Sequence, residues 1–155
     1  MKNINELITE TARKINFDVS ARLADYCQSS DYICDAISEI VDSDCPCYYS
    51  GLLKWFNDTA TSEDYVNDAV NEYGFERGEF DIFKAMSWGW CDWAREQIEH
   101  EKSDALYLAA LCFVRDDLKL EEITNEQAEE LENIDFDRID TFIDLQNEIQ
   151  AIFDL

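Results

Sequence analysis

Apolar residues recur at intervals of three and four along almost the whole of this 155-residue chain, and that spacing constrains its fold most strongly. In the first segment the pattern gives a helix one apolar face, formed by Ile4, Leu7, Ile8, Ala12 and Ile15. No stretch alternates convincingly with period two, and four glycines and one proline are too few turn residues for a sheet protein. The sequence therefore predicts an all-α fold, a compact bundle of about eight amphipathic helices in a single domain, residues 1–155.

Capping signals mark the helices of the C-terminal stretch, which runs from Glu121 to Asp154. Thr124 and Gln127 have the spacing of a capping box, and Ile123 stands in the hydrophobic staple position before them. Asp135 or Asp137 is the predicted cap of one last helix. This stretch is therefore predicted to hold two capped helices with apolar undersides, because a solvated acidic tail would lack the large apolar residues.

Acidic residues outnumber basic ones three to one, with 36 Asp and Glu against 12 Lys and Arg and a formal net charge of -24. A small domain needs a net charge of only about 2 to 8 for solubility. The excess grows along the chain, with net charges of -5, -7 and -12 in residues 1–50, 51–100 and 101–155. Because self-repulsion at this level destabilises the folded state, we expect the charge to serve a basic partner.

The C-terminal acids are the candidate binding surface. Between Lys119 and Arg138 there are eight acids and no base. Residues three or four apart are neighbours on a helix, so a row of glutamates sets carboxylates at intervals like those between phosphates along a strand. The predicted row is Glu122, Glu126, Glu129 and Glu130. The full set of predicted partner-binding residues is Glu121, Glu122, Glu126, Glu129, Glu130, Glu132, Asp135, Asp137, Asp140 and Asp144.

Several partners and compartments are excluded by composition. Direct binding to nucleic acid or to an anionic membrane surface is not expected, since no Lys/Arg cluster exists in the chain. The longest apolar run, Ala105 to Val114, is too short to span a bilayer, and Met1 to Phe17 lacks the apolar core of a signal peptide. We therefore expect a cytoplasmic protein whose six cysteines are reduced.

Residues with catalytic or metal-binding chemistry are scarce. His100, the one histidine, lies between two glutamates and fits a solvated position at a helix end. Cys45 and Cys47 flank the one proline and could supply half of a zinc site, which would need Cys27 or Cys34 to converge on them. We predict no catalytic residues, no metal site and no cofactor, and leave a metal or redox role for the Cys45-Pro46-Cys47 pair open.

Large rings crowd the predicted helix from Glu79 to Glu101. Spacing favours burial of a stripe made of Phe83, Met86, Trp90 and Trp93. Trp88 and Tyr107 are the better candidates for a partly exposed or dimer-forming surface, because tryptophan and tyrosine are enriched at interfaces.

In size, acidity, aromatic content and helical pattern this chain resembles the phage and mobile-element inhibitors that mimic DNA, such as anti-restriction proteins and some anti-CRISPR proteins. The resemblance lies in the character of the whole chain and transfers no functional residues. It implies a non-enzymatic, stoichiometric inhibitor that occupies the basic DNA- or RNA-binding groove of a nuclease, restriction enzyme or CRISPR effector. It also implies a phage-encoded protein expressed in a bacterial host, and a homodimer, since many such inhibitors are dimers.

Three alternatives assign the same acidity to other roles. An acidic adaptor, immunity protein or antitoxin would bind one basic protein through a specific interface without copying DNA. Adaptation to high salt fits less well with the many Ile, Phe, Tyr and Trp residues and six cysteines. An enzyme would need a cleft that singles out one carboxylate pair, because among 36 acids some pair is always close.

Overall fold

A computed structural model describes residues 1–73 and 81–154 of the chain, and helices dominate that part. The α-helices are α1 Ile4–Lys14, α2 Ile33–Asp44, α3 Tyr49–Asp58, α4 Ser62–Tyr73, α5 Ile82–His100, α6 Lys102–Asp116, α7 Asn125–Glu132 and α8 Phe142–Phe153. Two further segments, Asp18–Tyr26 and Phe136–Arg138, are 3-10 helices. The predicted all-α fold is confirmed, and the predicted start of α5 at Glu79 lies outside the described residues.

One short antiparallel ribbon accompanies the helices. It pairs β1 Lys2–Asn3 with β2 Glu122–Ile123, and the backbone N–H of Ile4 extends the pairing by donating to the Glu121 carbonyl at 2.9 Å. The ribbon thus fixes the start of α1 beside the segment that leads into α7. The sequence pattern did not predict it, because two-residue strands are too short to show alternation.

Internal contacts divide the chain into two compact units. The first unit combines Met1–Ile40 with Ile98–Leu155, and the second unit is Val41–Gln97. All ten acids of the predicted binding surface belong to the first unit, whereas all four tryptophans belong to the second. The single domain expected from the sequence stays a prediction.

Helix α6 forms the centre of the first unit. Helices α1 and α8 and the 3-10 helix Asp18–Tyr26 pack against it. Its buried residues are Ala105, Leu106, Leu108, Ala109, Ala110, Leu111, Phe113 and Val114. Burial on several faces is expected of a helix that is apolar nearly all round. The exposed residues of the unit therefore lie mainly on the more amphipathic helices α1, α7 and α8.

Helix α1 corrects one expectation about its buried face. Ile4, Leu7 and Thr11 are buried, whereas Ala12, predicted to face inward, is exposed. The Thr11 hydroxyl donates to the Leu7 carbonyl at 2.8 Å. This internal hydrogen bond satisfies the polar group and lets threonine occupy a core position that hydrophobic spacing alone would not assign to it.

The second unit is built around rings from α3 and α5. The centroids of Trp55 and Trp93 lie 5.7 Å apart in a tilted arrangement. A Cβ placed at Gly89 would lie 3.1 Å from backbone atoms of Val66, so a glycine at this point lets α4 and α5 approach closely. Of the predicted stripe, Met86 and Trp90 are buried, whereas Phe83 and Trp93 are partly exposed. The burial prediction is therefore confirmed for two of its four residues.

Candidate protein-binding surface

The short helix α7 is fixed at its N-terminus and along one face. The Thr124 hydroxyl accepts from the Gln127 N–H at 3.0 Å, and the Gln127 side-chain oxygen accepts from the Thr124 N–H at 2.9 Å. This confirms the predicted capping box. Ile123, Ala128 and Leu131 are buried beneath the helix. Glutamates on the opposite face are consequently held out toward solvent on a well-anchored backbone.

The segment between α7 and α8 alternates buried rings and aliphatic groups with exposed acids. Phe136, Ile139 and Phe142 are buried, whereas the intervening Asp137 and Asp140 are exposed. The backbone conformation that buries the apolar side chains therefore also holds the acidic side chains toward solvent. A tail without these apolar residues would have nothing to hold its carboxylates in place.

The predicted cap of the last helix is wrong. Asp135 precedes only the 3-10 helix and makes no side-chain capping bond, and α8 begins after Thr141, whose hydroxyl accepts from the Asp144 N–H at 3.0 Å. A helix cannot continue through Asp140 because its carbonyl accepts from the Ile33 N–H at 2.8 Å. This pairing with a distant segment has no signal in the local sequence, and α8 begins only after it.

All ten predicted acids lie at exposed positions in the structure. Within residues 1–73 and 81–154, Asp135 is the one member of the set that pairs with a basic side chain, the Arg138 guanidinium at 3.1 Å. Both partners of that pair are well exposed, so the pair neutralises little of the local charge. The other nine carboxylates are available to a partner.

The predicted row of four glutamates is only partly helical. Glu126, Glu129 and Glu130 lie on α7, but Glu122 lies in β2, one turn's length before the helix begins. The helical-row interpretation is therefore wrong for Glu122, because the ribbon with β1 extends the chain at that point. Glu122 is nevertheless exposed, and it lies three residues before the start of α7.

Three adjoining hollows run along this region. A large hollow of about 470 Å³ between α1, α6 and α7 contains Glu129 and Glu132. A middle hollow of about 250 Å³ contains Glu132, Asp135 and Asp137, and a terminal hollow of about 390 Å³ contains Asp135 and Asp144. Neighbouring hollows share lining residues, so five of the ten predicted acids line this series of adjoining hollows.

The fold also brings basic side chains to the hollows from distant parts of the chain. Lys2 and Lys14 line the large hollow, and Lys14 also lines the middle one. Acids nevertheless outnumber bases in each hollow, three to two in the large, four to one in the middle and three to one in the terminal. Sequence spacing could not place Lys14 here, since more than a hundred residues separate it from Glu132.

Tyr107 from α6 is half-buried where the large and middle hollows meet. Burial raises the pKa of its hydroxyl, and the nearby carboxylates of Glu132 and Glu10 raise it further. The ring therefore stays neutral and can donate a hydrogen bond from within an acidic depression. Its partial exposure agrees with the sequence-based expectation.

A second acidic surface joins α4 and α5 in the second unit. The Tyr65 hydroxyl donates to the Glu96 carboxylate, which raises the pKa of Tyr65 to about 12. Partial burial raises the pKa of Asp92, and the nearby Glu72 carboxylate adds to this rise. The sequence does not show which α5 residues lie opposite the α4 acids, because the two helices are separate segments of the chain.

Some acids have structural partners instead of facing solvent freely. The Glu101 carboxylate accepts from the backbone N–H groups of Asn16 at 2.6 Å and Phe17 at 2.9 Å. It also accepts from the Ser20 hydroxyl at 3.1 Å. Glu101 therefore secures the start of the 3-10 helix Asp18–Tyr26.

Metal-binding and membrane-spanning features are the other candidates for a functional site. In residues 1–73 and 81–154, no group of three or more His, Cys, Asp or Glu side chains is arranged to hold a metal ion. His100 lies exposed at the C-terminal end of α5. No helix in these two ranges is both long enough and apolar enough to cross a membrane.

Comparison with protein-family models, with curated proteins and with solved structures finds no match to this chain.

Proposed function

We propose that this chain is a non-enzymatic inhibitor that mimics nucleic acid and occupies the basic DNA- or RNA-binding groove of a nuclease, restriction enzyme or CRISPR effector. The observation that supports it best is the set of ten exposed carboxylates in residues 121–144, nine of them without a basic partner among the described residues. The expected site of action is the cytoplasm of a bacterial host. Association into a homodimer also stays a prediction.

The amount of charge suits this role. Duplex DNA has one negative charge per ~1.7 Å of its axis, so 24 charges correspond to roughly 40 Å of duplex. A compact chain of this length has a radius of gyration of about 15 Å and hence a diameter near 40 Å. The protein therefore carries roughly the charge of the DNA segment that it would replace.

The placement of the charge supports the same role. Helix α7 has eight residues and is about 12 Å long, and the acids continue beyond it into the 3-10 helix Phe136–Arg138 and α8. Buried residues alternate with these acids, so few conformations are lost when a partner binds. Such a surface approaching a basic groove gains electrostatic steering and association that weakens strongly with salt.

An acidic adaptor, immunity protein or antitoxin is the second candidate, and one observation favours it. The large hollow contains Lys2, Lys14 and the half-buried Tyr107 among its acids. Phosphate mimicry does not need these groups, whereas a specific interface uses aromatic rings and mixed charges to select one partner. In this alternative the partner's nucleic-acid-binding site would stay free.

Capture followed by competition separates the two candidates. The full chain is immobilised, exposed to bacterial lysate at low salt and eluted with a salt gradient, and the eluted proteins are identified by mass spectrometry. Each purified partner is then loaded with a fluorescent duplex of about 12 base pairs, which matches the 24 charges. The proposal predicts stoichiometric displacement of the duplex. A partner that holds the chain and the duplex together would contradict mimicry and favour the adaptor.

A further inference from the structure

Cys45 lies directly after α2 and faces α5 within the second unit. Its sulfur lies 3.3 Å from the Ser87 hydroxyl oxygen and 3.8 Å from the Ser87 carbonyl oxygen. It is half-buried, so small molecules can reach it while larger groups are hindered. The thiol is therefore held against one defined point of a helix.

Cys91 is the second sulfur at this point. It follows Ser87 by four residues on α5, so both residues lie on the same helical face, one turn apart. Because Cys45 contacts Ser87, the next residue on that face, Cys91, lies beside Cys45, and the two thiols shift each other's pKa. Cys45 thus meets a hydroxyl and a second thiol from one face of α5, which is a cluster and not an isolated cysteine.

The cluster favours the ionised form of one sulfur over the other. The hydrogen bond from Cys91 lowers the pKa of Cys45 to about 7, the Ser87 hydroxyl adds to this effect, and burial opposes it. The same hydrogen bond, together with burial, raises the pKa of Cys91. Near neutral pH about half of Cys45 is a thiolate, which is the nucleophilic form of cysteine.

The other buried cysteines provide a contrast. Burial raises the pKa of Cys27 to about 11 and also raises that of Cys112. Cys47, the sequence neighbour that suggested a metal pair with Cys45, is exposed and is not the group that contacts it. The structure therefore singles out Cys45 and gives it Cys91, not Cys47, as the neighbouring thiol from α5.

We propose that Cys45 is an oxidation site for small hydroperoxides such as hydrogen peroxide, with Cys91 as the resolving thiol that closes a Cys45–Cys91 disulfide. This inference is independent of the inhibitor function, since both sulfurs belong to the second unit and the ten predicted acids to the first. It concerns a covalent state of the chain that nucleic-acid mimicry does not require.

The chemistry balances with hydrogen peroxide as the oxidant. The Cys45 thiolate attacks one peroxide oxygen, an S–O bond forms, the O–O bond breaks, and hydroxide leaves and takes up a proton as water. The Cys91 sulfur then attacks the Cys45 sulfenic acid, an S–S bond forms and the S–O bond breaks. The Cys91 proton and the departing hydroxide form a second water. Two thiols lose two electrons, and one peroxide is reduced to two waters.

The first test uses the native full chain and its Cys47→Ser variant, which removes the exposed neighbour. Each is treated with equimolar hydrogen peroxide, digested under acidic, thiol-blocked conditions and mapped by tandem mass spectrometry. The expected product is a Cys45–Cys91 disulfide in both proteins. Replacing Cys91 with serine should instead leave a Cys45 sulfenic acid that dimedone traps. A Cys45–Cys47 disulfide, or oxidation of Cys34 or Cys47 before Cys45, would overturn the proposal.

The second test needs no substitution at the cluster, so it does not depend on variants that fail to fold. Iodoacetamide labelling of each cysteine in the native chain is followed between about pH 5 and 10. The labelling rate of Cys45 should rise with a midpoint near pH 7, and at pH 7 it should exceed that of an ordinary thiol of pKa 8.5 by about threefold, since lower basicity offsets part of the gain in thiolate. A Cys45 midpoint at or above pH 8.5 would contradict the proposal.

Discussion

The two units contain acidic and basic residues in the same ratio but use the acids differently. The first unit has 24 acids and 8 bases and the second has 12 acids and 4 bases, three to one in each. In the C-terminal stretch of the first unit, ten acids project outward over buried apolar residues. In the second unit, Glu96 accepts a hydrogen bond from Tyr65, and Asp92 is partly buried near Glu72.

From this difference we expect that charge density alone does not define a binding surface. What distinguishes the C-terminal stretch is the number of its exposed carboxylates, ten in residues 121–144, nine of them without a basic partner among the described residues. The acids of α4 are also exposed, but Glu96 on α5 accepts a hydrogen bond from Tyr65, and Glu72 lies near the partly buried Asp92.

The largest effect is expected in the core beneath the acids. Phe142 is fully buried, and its ring centroid lies 6.1 Å from that of Tyr26. Phe142→Ala should lower the free energy of unfolding by about 3–5 kcal/mol. The exposed neighbour Ile143 is the matched control, and Ile143→Ala should change stability by less than about 0.5 kcal/mol. Urea titrations followed by circular dichroism measure both, and equal losses would contradict the burial of Phe142.

The same titrations also show whether the two units unfold together. All four tryptophans lie in the second unit, so tryptophan fluorescence reports on that unit alone. If Phe142→Ala shifts the fluorescence and helical transitions equally, the units unfold together as the predicted single domain would. Separate transitions would show that the acidic surface can be lost without the second unit.

A smaller effect is expected at the cap of α7. Thr124→Ala removes the hydroxyl that accepts from the Gln127 N–H and should lower the free energy of unfolding by about 1 kcal/mol. Thr124→Ser keeps a hydroxyl there and should recover most of this loss. Thermal unfolding of the three proteins measures the difference. Equal losses in the Ala and Ser variants would mean that the capping bond does not anchor the helix.

The smallest effect concerns the crowded acids of the second unit. Asp92 has a raised pKa in the folded chain, so the folded state binds more protons there than the unfolded state. Stability therefore falls as pH rises from the ordinary pKa of an aspartate through the raised pKa of Asp92. Asp92→Asn should therefore stabilise the chain at pH 7, by less than about 1 kcal/mol after solvent screening. The gain should vanish below about pH 3, where the carboxyl is protonated in both states. Thermal unfolding at the two pH values checks this.

The exposed Glu130 in the first unit is the control for Asp92. Glu130→Gln removes one negative charge without removing a partly buried carboxyl. If both variants stabilise the chain equally at pH 7, relief of general repulsion explains the gain and local crowding at Asp92 does not.

Local sequence patterns predict a structural feature correctly where one segment contains all the residues that form it. The capping box of Thr124 and Gln127 spans four residues, and the apolar character of α6 is a property of that helix alone. Failures occurred where distant segments decide. Asp135 was expected to cap the last helix, but pairing of Asp140 with Ile33 keeps the chain extended until Thr141.

The candidate site shows the same limit. Exposure of the ten acids follows from their alternation with apolar residues, so the sequence could predict it. The presence of Lys14 and Glu132 in the same hollows requires the packing of α1 against α6, and the contact of Cys45 with Ser87 requires α5 to pass the end of α2. Contacts of this kind, formed between residues far apart in the chain, leave no periodic signal.

The most direct test of the central claim compares two charge-matched variants in binding to the captured partner. The first replaces Glu122, Glu126, Glu129 and Glu130 with glutamine. The second removes four exposed charges from α4 by Glu63→Gln, Asp64→Asn, Asp68→Asn and Glu72→Gln. Affinities are measured over a range of salt concentrations, with circular dichroism to verify that both variants fold.

We expect the first variant to bind about 10- to 1,000-fold more weakly at low salt, because four contacts of about 0.3 to 1 kcal/mol each are lost, and its affinity to depend less on salt. The α4 variant should stay within a few-fold of the unaltered chain. Equal weakening by both would mean that overall charge suffices. Unchanged affinity of the first variant, or a larger loss in the α4 variant, would remove the C-terminal acids from the binding surface.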